Sequence, residues 1–182
     1  MPHDKPEVRR IARQRLRLRT PERRAHDAAG IVERLKPLVG ARATVMGYWA
    51  LPSEPDLKSA LAEWSEQGCR VCLPRVLGAE LTAVQVKSFD HLNRSELGVH
   101  EPDPAHGTPL DPGEIDVVLV PGVAFSRDGG RLGRGAGYYD RFLARLNPTA
   151  LKLGVAFSCQ LFDTVPLEPH DVILDQVICE TG

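Results

Sequence analysis

The sequence predicts an α/β fold: a mainly parallel, Rossmann-like sheet with helices on both faces, formed by residues 1–182 as a single domain. Three observations predict it. Apolar strand patterns alternate with amphipathic helical patterns, which implies right-handed crossovers between parallel strands. Residues 115–121 form an unbroken apolar run, typical of a strand buried on both faces. A length of 182 residues suits one domain with a sizeable core.

The chain is predicted to begin with two helices. Apolar residues recur at helical spacing between Val8 and Leu16, with arginines on the other face. The Thr-Pro-Glu sequence at 20–22 is typical of a helix start, because Thr can cap the helix, Pro fits its first position and an acid complements its dipole. The second helix is expected to run towards Leu38 and to stop near Gly40.

The rest of the chain alternates between strand and helix patterns. Strands are predicted at 43–49, 70–76, 81–86, 115–121, 152–157 and 172–180, and helices at 57–68 and 138–146. Pro74 predicts that its strand leaves the sheet or bulges there, since proline cannot donate to a ladder. The proline-rich residues 98–114 are predicted to form an irregular loop.

The composition is that of an ordinary globular protein, with 42% hydrophobic and 26% charged residues. A formal net charge of −1 provides no overall field for nucleic acid or anionic membranes. The sequence contains no apolar run of signal-peptide or membrane-spanning length, so a cytoplasmic protein is expected, with neither a nucleic acid nor a membrane as partner. Eight arginines between Arg9 and Arg24 leave a nucleic-acid-binding module as an alternative, disfavoured by the net charge and the absence of interleaved aromatics.

The four cysteines are expected to be reduced thiols. Cys69 and Cys72 form a C-x-x-C pair, which could indicate a metal site. In a strand, however, positions three apart point to opposite faces, so these two thiols cannot share an ion.

The segment from Val118 to Leu143 carries the clearest functional pattern. It runs from a strand through a glycine-rich loop to a helix, which places the loop at the carboxyl end of a central strand, where open α/β sheets bind ligands. Gly133, Gly135 and Gly137 alternate, so successive backbone N–H groups can converge on an anion. The following helix adds its positive end.

Charged residues in the same segment indicate a site for a nucleoside triphosphate with magnesium. Arg131 and Arg134 provide planar donors suited to phosphate, and Asp140 lies near enough to hold Mg²⁺. The alternative is a flexible glycine hairpin with solvated arginines. Because glycines, arginines and an acid coincide on one strand–loop–helix segment, the pattern favours phosphate binding over that alternative.

The string DGGRLGRGAGYYDRFL resembles the signature of the 5-formyltetrahydrofolate cyclo-ligase family, also called methenyltetrahydrofolate synthetases. The preceding VPGVAF and the later KLGVAFSCQ and EPHDVILDQVI are similar to the family pattern in the same order. The resemblance is strongest from Ile115 to Val177 and looser from Leu81 to Gly113. It implies ATP- and Mg²⁺-dependent cyclisation of 5-formyltetrahydrofolate to 5,10-methenyltetrahydrofolate, through a phosphorylated formyl intermediate, with release of ADP and phosphate.

The resemblance also implies roles for individual residues. The nucleotide-binding residues that it implies are Lys5, Arg9, Arg131, Gly133, Arg134, Gly135, Ala136, Gly137, Tyr138 and Tyr139. Those expected to take part in the reaction are Arg134 and Tyr138, and those expected to contact the folate are Trp49, Glu54 and Tyr138. The expected metal ligands are Asp140 and Asp171, with Asp175 as an alternative to the second.

Several alternatives stay open at this stage. Glu54 can accept two N–H bonds from a pterin edge, whereas Trp49 is either a wall of the folate site or a core residue. The run 55–57 departs from the family's usual valine, acid and threonine, and Ala136 replaces a bulkier or basic residue. An ATP-binding relative that acts on another substrate, or only stores folate, is the second alternative. A monomer or weak homodimer is expected.

Overall fold

The computed structural model describes residues 4–96 and 98–181. The helices are α1 (Lys5–Arg17), α2 (Pro21–Leu35), α3 (Lys58–Glu66) and α4 (Tyr138–Leu143). The strands are β1 (Thr44–Met46), β2 (Arg70–Leu77), β3 (Glu80–Val86), β4 (Leu92–Arg94), β5 (His100–Pro102), β6 (Gly107–Leu110), β7 (Val117–Val120), β8 (Ala124–Ser126), β9 (Arg131–Leu132), β10 (Leu151–Val155), β11 (Leu161–Phe162) and β12 (Gln176–Ile178).

The main sheet has seven strands in the order β12-β10-β7-β1-β2-β3-β6. The strands from β12 to β2 in this order are parallel, whereas β3 and β6 extend the sheet antiparallel. Strand β7 is central, because Val117 pairs with Val45 of β1 on one side and Leu119 pairs with Leu153 of β10 on the other. The mainly parallel sheet and the central position of 115–121 are therefore confirmed.

Helices cover both faces of this sheet, as predicted. Leu119 packs in a cluster that includes Ile31 of α2 and Leu61 of α3. Its neighbour Val118 points the other way and packs in a second cluster with Phe142 of α4. Both faces of β7 are buried, which explains why its sequence is apolar without alternation.

The helix boundaries follow the signals in the sequence. The Thr20 side chain accepts a hydrogen bond from the backbone N–H of Arg23 at 3.2 Å and caps α2. Helix α2 ends at Leu35 and continues as one 3-10 turn, Lys36–Leu38, so the predicted stop before Gly40 is right. None of the helices in the described part of the chain combines the length and apolarity that crossing a bilayer requires.

The prediction for Pro74 was wrong. Strand β2 continues without a bulge to Leu77, and Pro74 lies opposite Ala83 in the ladder with β3. Strand β1 ends opposite Cys72, so β2 is open on that side when it reaches the proline. An imino acid is tolerated where no neighbouring strand needs its N–H.

The predicted irregular loop at 98–114 was also wrong in part. It contains β5, which pairs with β4, and β6, which forms the edge of the main sheet against β3. The prolines of this segment argued against a strand in the sequence. Pro109 is nevertheless compatible with β6, because only one side of an edge strand needs a complete ladder.

A small second sheet separates β7 from the glycine-rich loop. Strands β11, β8 and β9 form it in that order, and the turn between β8 and β9 contains Gly129 at φ 91°. A Cβ at Gly129 would collide with the carbonyl oxygen of Leu174, so this turn requires glycine. Val8 and Ala12 of α1 pack on this sheet, which brings the start of α1 to the glycine-rich loop.

The cysteine prediction is confirmed for the described residues, since all four thiols are free. Cys69 packs in the cluster beneath α2 and α3, whereas Cys72 packs in the cluster beneath α4. The two members of the C-x-x-C pair thus lie on opposite faces of the sheet.

Candidate active site

A cleft of about 500 Å³ opens where β1 and β7 end, which is the edge of the sheet at which α/β proteins bind ligands. Its lining includes every residue that the sequence singled out for the site except the alternative metal ligand Asp175: Lys5, Arg9, Trp49, Glu54, Arg131, Gly133, Arg134, Gly135, Ala136, Gly137, Tyr138, Tyr139, Asp140 and Asp171. The fold therefore brings together residues from the first helix, the loop after β1, the glycine-rich loop and the loop before β12.

The glycine-rich loop has a backbone that demands glycine. Gly135 and Gly137 have φ values of 114° and 68°, which side chains rarely tolerate, and Gly137 is also the residue that precedes α4. Arg9 Nε donates to the carbonyl oxygen of Gly133 at 2.9 Å and ties α1 to the loop. The helix α4 is shorter than predicted, with six residues, so first-turn N–H groups matter here more than a long helix dipole.

Ion pairs link the elements that line the cleft. Each unites a basic residue with a carboxylate: Lys5 Nζ with Asp171 Oδ2 at 2.9 Å and with Glu168 Oε2 at 2.5 Å, Arg131 Nη2 with Asp140 Oδ2 at 2.9 Å, and Arg134 Nη2 with Glu54 Oε1 at 3.1 Å. The groups predicted to bind phosphate thus neutralise those predicted to bind metal and folate.

The two predicted metal carboxylates lie on the same side of the cleft. Asp140 Oδ1 accepts a hydrogen bond from the N–H of Val172 at 3.3 Å, directly beside Asp171. The alternative ligand, Asp175, instead accepts from the N–H of Lys152 at 2.7 Å and is not among the residues that line the cleft. The geometry favours Asp171 over Asp175.

Asp171 is kept ionised by its surroundings. Partial burial alone would raise its pKa, but hydrogen bonds from Lys5 and from the N–H of Glu168 outweigh that effect and hold the pKa below its ordinary value. The ligand atoms of Glu168, His170 and Asp171 lie within 4.8 Å of one another. A hard cation such as Mg²⁺ prefers carboxylate oxygens, so the donor set at this side of the cleft fits that ion.

Glu54 and Trp49 form the opposite side. Glu54 Oε2 accepts from the N–H of Leu51 at 3.0 Å, and only 10% of the side chain is exposed. The Trp49 ring packs 5.5 Å from that of Phe89, with Lys58 Nζ 4.7 Å from its centroid. Trp49 both lines the cleft and packs against the core, so the two interpretations of its role are compatible.

Comparison with known proteins shows which family the chain belongs to. The sequence model of the 5-formyltetrahydrofolate cyclo-ligase family matches residues 2–180. The chain belongs to this family. A cyclo-ligase of Mycolicibacterium smegmatis is 39% identical over 140 residues, which cover 74% of this chain and 72% of the relative. The Escherichia coli K12 enzyme is 31% identical over 175 residues, which cover 92% and 96%.

A solved structure agrees with the fold. The NMR structure of Aquifex aeolicus 5,10-methenyltetrahydrofolate synthetase superposes with a TM-score of 0.84 at 32% identity, covering 98% of this chain and 90% of that protein. The resemblance predicted from the glycine-rich segment and the predicted enzyme class are therefore confirmed.

Other residues of the cyclo-ligase cleft were not found from the sequence. They are mainly apolar or lie in loops: Tyr48, Leu51, Pro74, Val76, Leu81, Val99, Glu101, Pro121, Gly122, Leu132, Glu168 and His170. The apolar members on the hairpin of β2 and β3 have the same pattern as core residues, so the sequence offers no signal for them. Glu168 and His170 could have been found from their closeness to Asp171 in EPHD, a turn closed by the Asp171 N–H on the Glu168 carbonyl at 2.9 Å.

Proposed function

We propose that this cyclo-ligase converts 5-formyltetrahydrofolate and ATP into 5,10-methenyltetrahydrofolate, ADP and phosphate, and that it requires Mg²⁺. The observation that carries the proposal is the ion pair of Arg134 with Glu54 at 3.1 Å. It joins the glycine-rich loop, suited to a triphosphate, to the carboxylate suited to a pterin. Two such sites in direct contact are what phosphoryl transfer from nucleotide to folate needs.

The reaction proceeds in two steps. The formyl oxygen attacks the γ-phosphorus, a new O–P bond forms, and the bond to the β-phosphate oxygen breaks with loss of ADP. The second folate nitrogen then attacks the formyl carbon and gives its proton to solvent, and the C–O bond breaks as phosphate leaves with the electron pair. Phosphate is a far better leaving group than the oxygen of the formyl group itself.

The protein contributes alignment and charge. Arg131 and Arg134 both line the cleft with the glycine-rich loop and are proposed to face the transferring phosphoryl group. Tyr138, the first residue of α4, lines the cleft beside them and is proposed to contact both ligands. Lys5 and Arg9 approach from α1 and are proposed to bind the nucleotide.

Asp140 and Asp171 are the residues proposed to hold Mg²⁺. When bound, this ion supplies neutralisation of the charge that builds up on the phosphoryl oxygens. Both carboxylates are paired with basic residues, Asp140 with Arg131 and Asp171 with Lys5. Nucleotide and metal together carry charges of both signs, so they can replace these pairs without leaving a buried charge unbalanced.

The direct test is an absorbance assay for methenyltetrahydrofolate with purified protein and 5-formyltetrahydrofolate. We expect product only when ATP and Mg²⁺ are both present, together with one ADP for each product molecule. A relative that only stores folate would bind the substrate without forming product. An enzyme for another substrate would hydrolyse no ATP in response to 5-formyltetrahydrofolate.

A change of Glu54 to glutamine should weaken folate binding and leave ATP binding nearly unchanged. A hydrogen bond to a charged group is worth about 1.5–3 kcal/mol, so the folate Kd should rise by roughly tenfold or more. Glutamine keeps the size of the side chain and can still accept from the Leu51 N–H. Calorimetric titrations with each ligand measure the two affinities, and an unchanged folate Kd would exclude Glu54 from the folate site.

The basic N-terminal stretch does not favour the nucleic-acid alternative. Many of its arginines make contacts with other groups of the protein: Arg9 with Gly133, Arg10 with Glu7, Arg15 with Leu161, Arg19 with Asp27 and Glu180, and Arg23 with Asp27. We therefore propose no role in nucleic-acid binding. Filter binding at low salt tests this, since retained RNA or DNA would restore the alternative.

We further propose a cytoplasmic, single-domain enzyme that acts as a monomer or weak homodimer. The free buried thiols suit a reducing compartment. The two large hydrophobic clusters lie on opposite faces of the main sheet, which supports a single domain. One chain supplies all the residues proposed for the site, so catalysis needs no partner subunit.

A further inference from the structure

The cleft contains a hydroxyl group that the protein itself does not satisfy. Tyr139 Oη is buried and has no hydrogen-bond partner within the described residues 4–96 and 98–181. A buried hydroxyl left unpaired destabilises a protein, because it has lost its hydrogen bonds to water without a replacement. Tyr139 is also one of the residues that line the cleft, where the substrates are proposed to bind.

Charged groups lie on both sides of Tyr139. The guanidinium carbon of Arg131 lies 5.6 Å from the centroid of its ring, on the side of the glycine-rich loop. The Glu54 carboxylate lines the same cleft, and its charge acts on the phenol. A phenol is protonated near neutral pH, so the hydroxyl is available as a hydrogen-bond donor.

Tyr48 provides a contrast within the same cleft. It is also buried and also lies in the field of Glu54, which raises its pKa in addition to the larger effect of burial. Its hydroxyl, however, donates to the carbonyl oxygen of Pro55 at 3.1 Å, so its hydrogen bond is made in the absence of any ligand. Of these two neighbouring phenols, Tyr48 has a structural partner and Tyr139 has none among the described residues.

We propose that Tyr139 Oη donates a hydrogen bond to the ring carbonyl oxygen of the folate's pterin and so determines substrate specificity together with Glu54. This inference rests on the proposed function. A reduced pterin presents an amino group and a ring N–H next to a carbonyl oxygen along one edge. A carboxylate beside a neutral hydroxyl donor matches that order of two donors and one acceptor.

The inference changes the role of one residue. The resemblance placed Tyr139 with the nucleotide-binding residues, alongside Tyr138. Side chains of consecutive residues on a helix point about 100° apart, so the two tyrosines at the start of α4 are not expected to contact the same ligand atoms. Tyr138 instead carries Arg141 over its ring, with the guanidinium carbon 5.4 Å from the centroid.

The test compares Tyr139→Phe with Tyr48→Phe. Tyr139→Phe removes a hydroxyl that makes no bond in the free protein, so the Tm without ligands should be unchanged or higher. Its Kd for 5-formyltetrahydrofolate should rise by roughly tenfold, while its Kd for ATP with Mg²⁺ stays the same. Tyr48→Phe should lower the Tm, because it leaves the Pro55 carbonyl without its donor. Thermal denaturation and calorimetry measure both properties.

A folate analogue with hydrogen in place of the ring carbonyl oxygen identifies the acceptor. With that analogue, Tyr139→Phe should bind as tightly as the unaltered protein. A loss of ATP affinity in place of folate affinity would overturn the proposal, and so would unchanged affinity for both ligands. A Tm lowered as much as in Tyr48→Phe would show a structural hydroxyl and would also overturn it.

The same titrations separate this inference from the proposed function. If the unaltered protein fails to bind 5-formyltetrahydrofolate, both fail. If it binds the folate and Tyr139→Phe binds it equally well, only the role of Tyr139 is wrong and the proposed function stands.

Discussion

Replacing Arg134 by alanine is expected to lower kcat by about a thousandfold while the Tm changes little. An arginine that stabilises the charge of a transferring phosphoryl group is worth roughly 10³–10⁵ in kcat. The Arg134 side chain is 56% exposed and pairs with the side chain of Glu54. An exposed ion pair contributes little to stability, so the Tm should change little when the arginine is removed. The absorbance assay gives kcat, and calorimetry gives the Tm.

Arg145 offers a matched control on the segment that follows α4. It is also about half exposed and pairs with one carboxylate, Glu80, at 3.4 Å, but it lies outside the cleft lining. Arg145→Ala should therefore leave both kcat and the Tm close to their original values. Comparable fractional losses of activity and stability in Arg134→Ala would show that Arg134 holds the loop in place and does not act in the reaction.

Arg131→Ala is not expected to separate activity from stability as Arg134→Ala does. Only 4% of its side chain is exposed, and its charge is balanced by Asp140. Arg131→Ala would leave Asp140 unpaired in a partly buried position, so both activity and stability should fall. Their residue types alone predicted equivalent roles as phosphate donors, and only the resemblance to the family gave Arg134 a further part in the reaction. The structure separates them, because burial depends on the hairpin of β8 and β9, which places Arg131 in a strand and Arg134 in the exposed loop.

How far the site could be predicted depends on distance along the chain. Arg131 and Asp140 are nine residues apart within one strand–loop–helix unit, so local pattern and general chemistry were sufficient to assign both to one site. Lys5 and Asp171 are separated by 166 residues, and no local pattern indicates that they meet. Only the resemblance to the family placed those two in the site.

The fold shows the same limit. Apolar runs and capping residues correctly predicted β7 and α2, since these depend on neighbouring residues. Pro74 was misjudged because its tolerance depends on where β1 ends, and β6 was missed because its pairing with β3 is a tertiary contact. The ion pairs of the cleft could not be predicted either, because a sequence shows which residues are charged but not which of them pair with one another.

Asp140→Asn is expected to abolish Mg²⁺-dependent activity at every metal concentration, whereas Asp171→Asn should raise the Mg²⁺ concentration needed for half-maximal rate. Asp140 lies on α4 directly after the glycine-rich loop, so its position relative to the phosphates is fixed. Asp171 comes from a separate loop, so its contribution to metal binding is expected to be smaller. Calorimetric titration of Mg²⁺ in the presence of a non-hydrolysable ATP analogue measures metal binding independently of turnover. An Asp140→Asn variant with unaltered Mg²⁺ affinity would remove Asp140 from the metal site.

The control must account for the buried charge that this substitution exposes. Asparagine can still accept from the Val172 N–H, but it leaves Arg131 without its counter-charge, which can cost about 3–5 kcal/mol for a buried pair. The double variant Arg131→Gln with Asp140→Asn is neutral at both positions and should recover much of the lost Tm. Its Mg²⁺ affinity in the presence of the ATP analogue should stay low, because restoring charge balance does not restore a metal ligand. Recovery of Mg²⁺ affinity together with stability would mean that Asp140 serves only to balance the charge of Arg131.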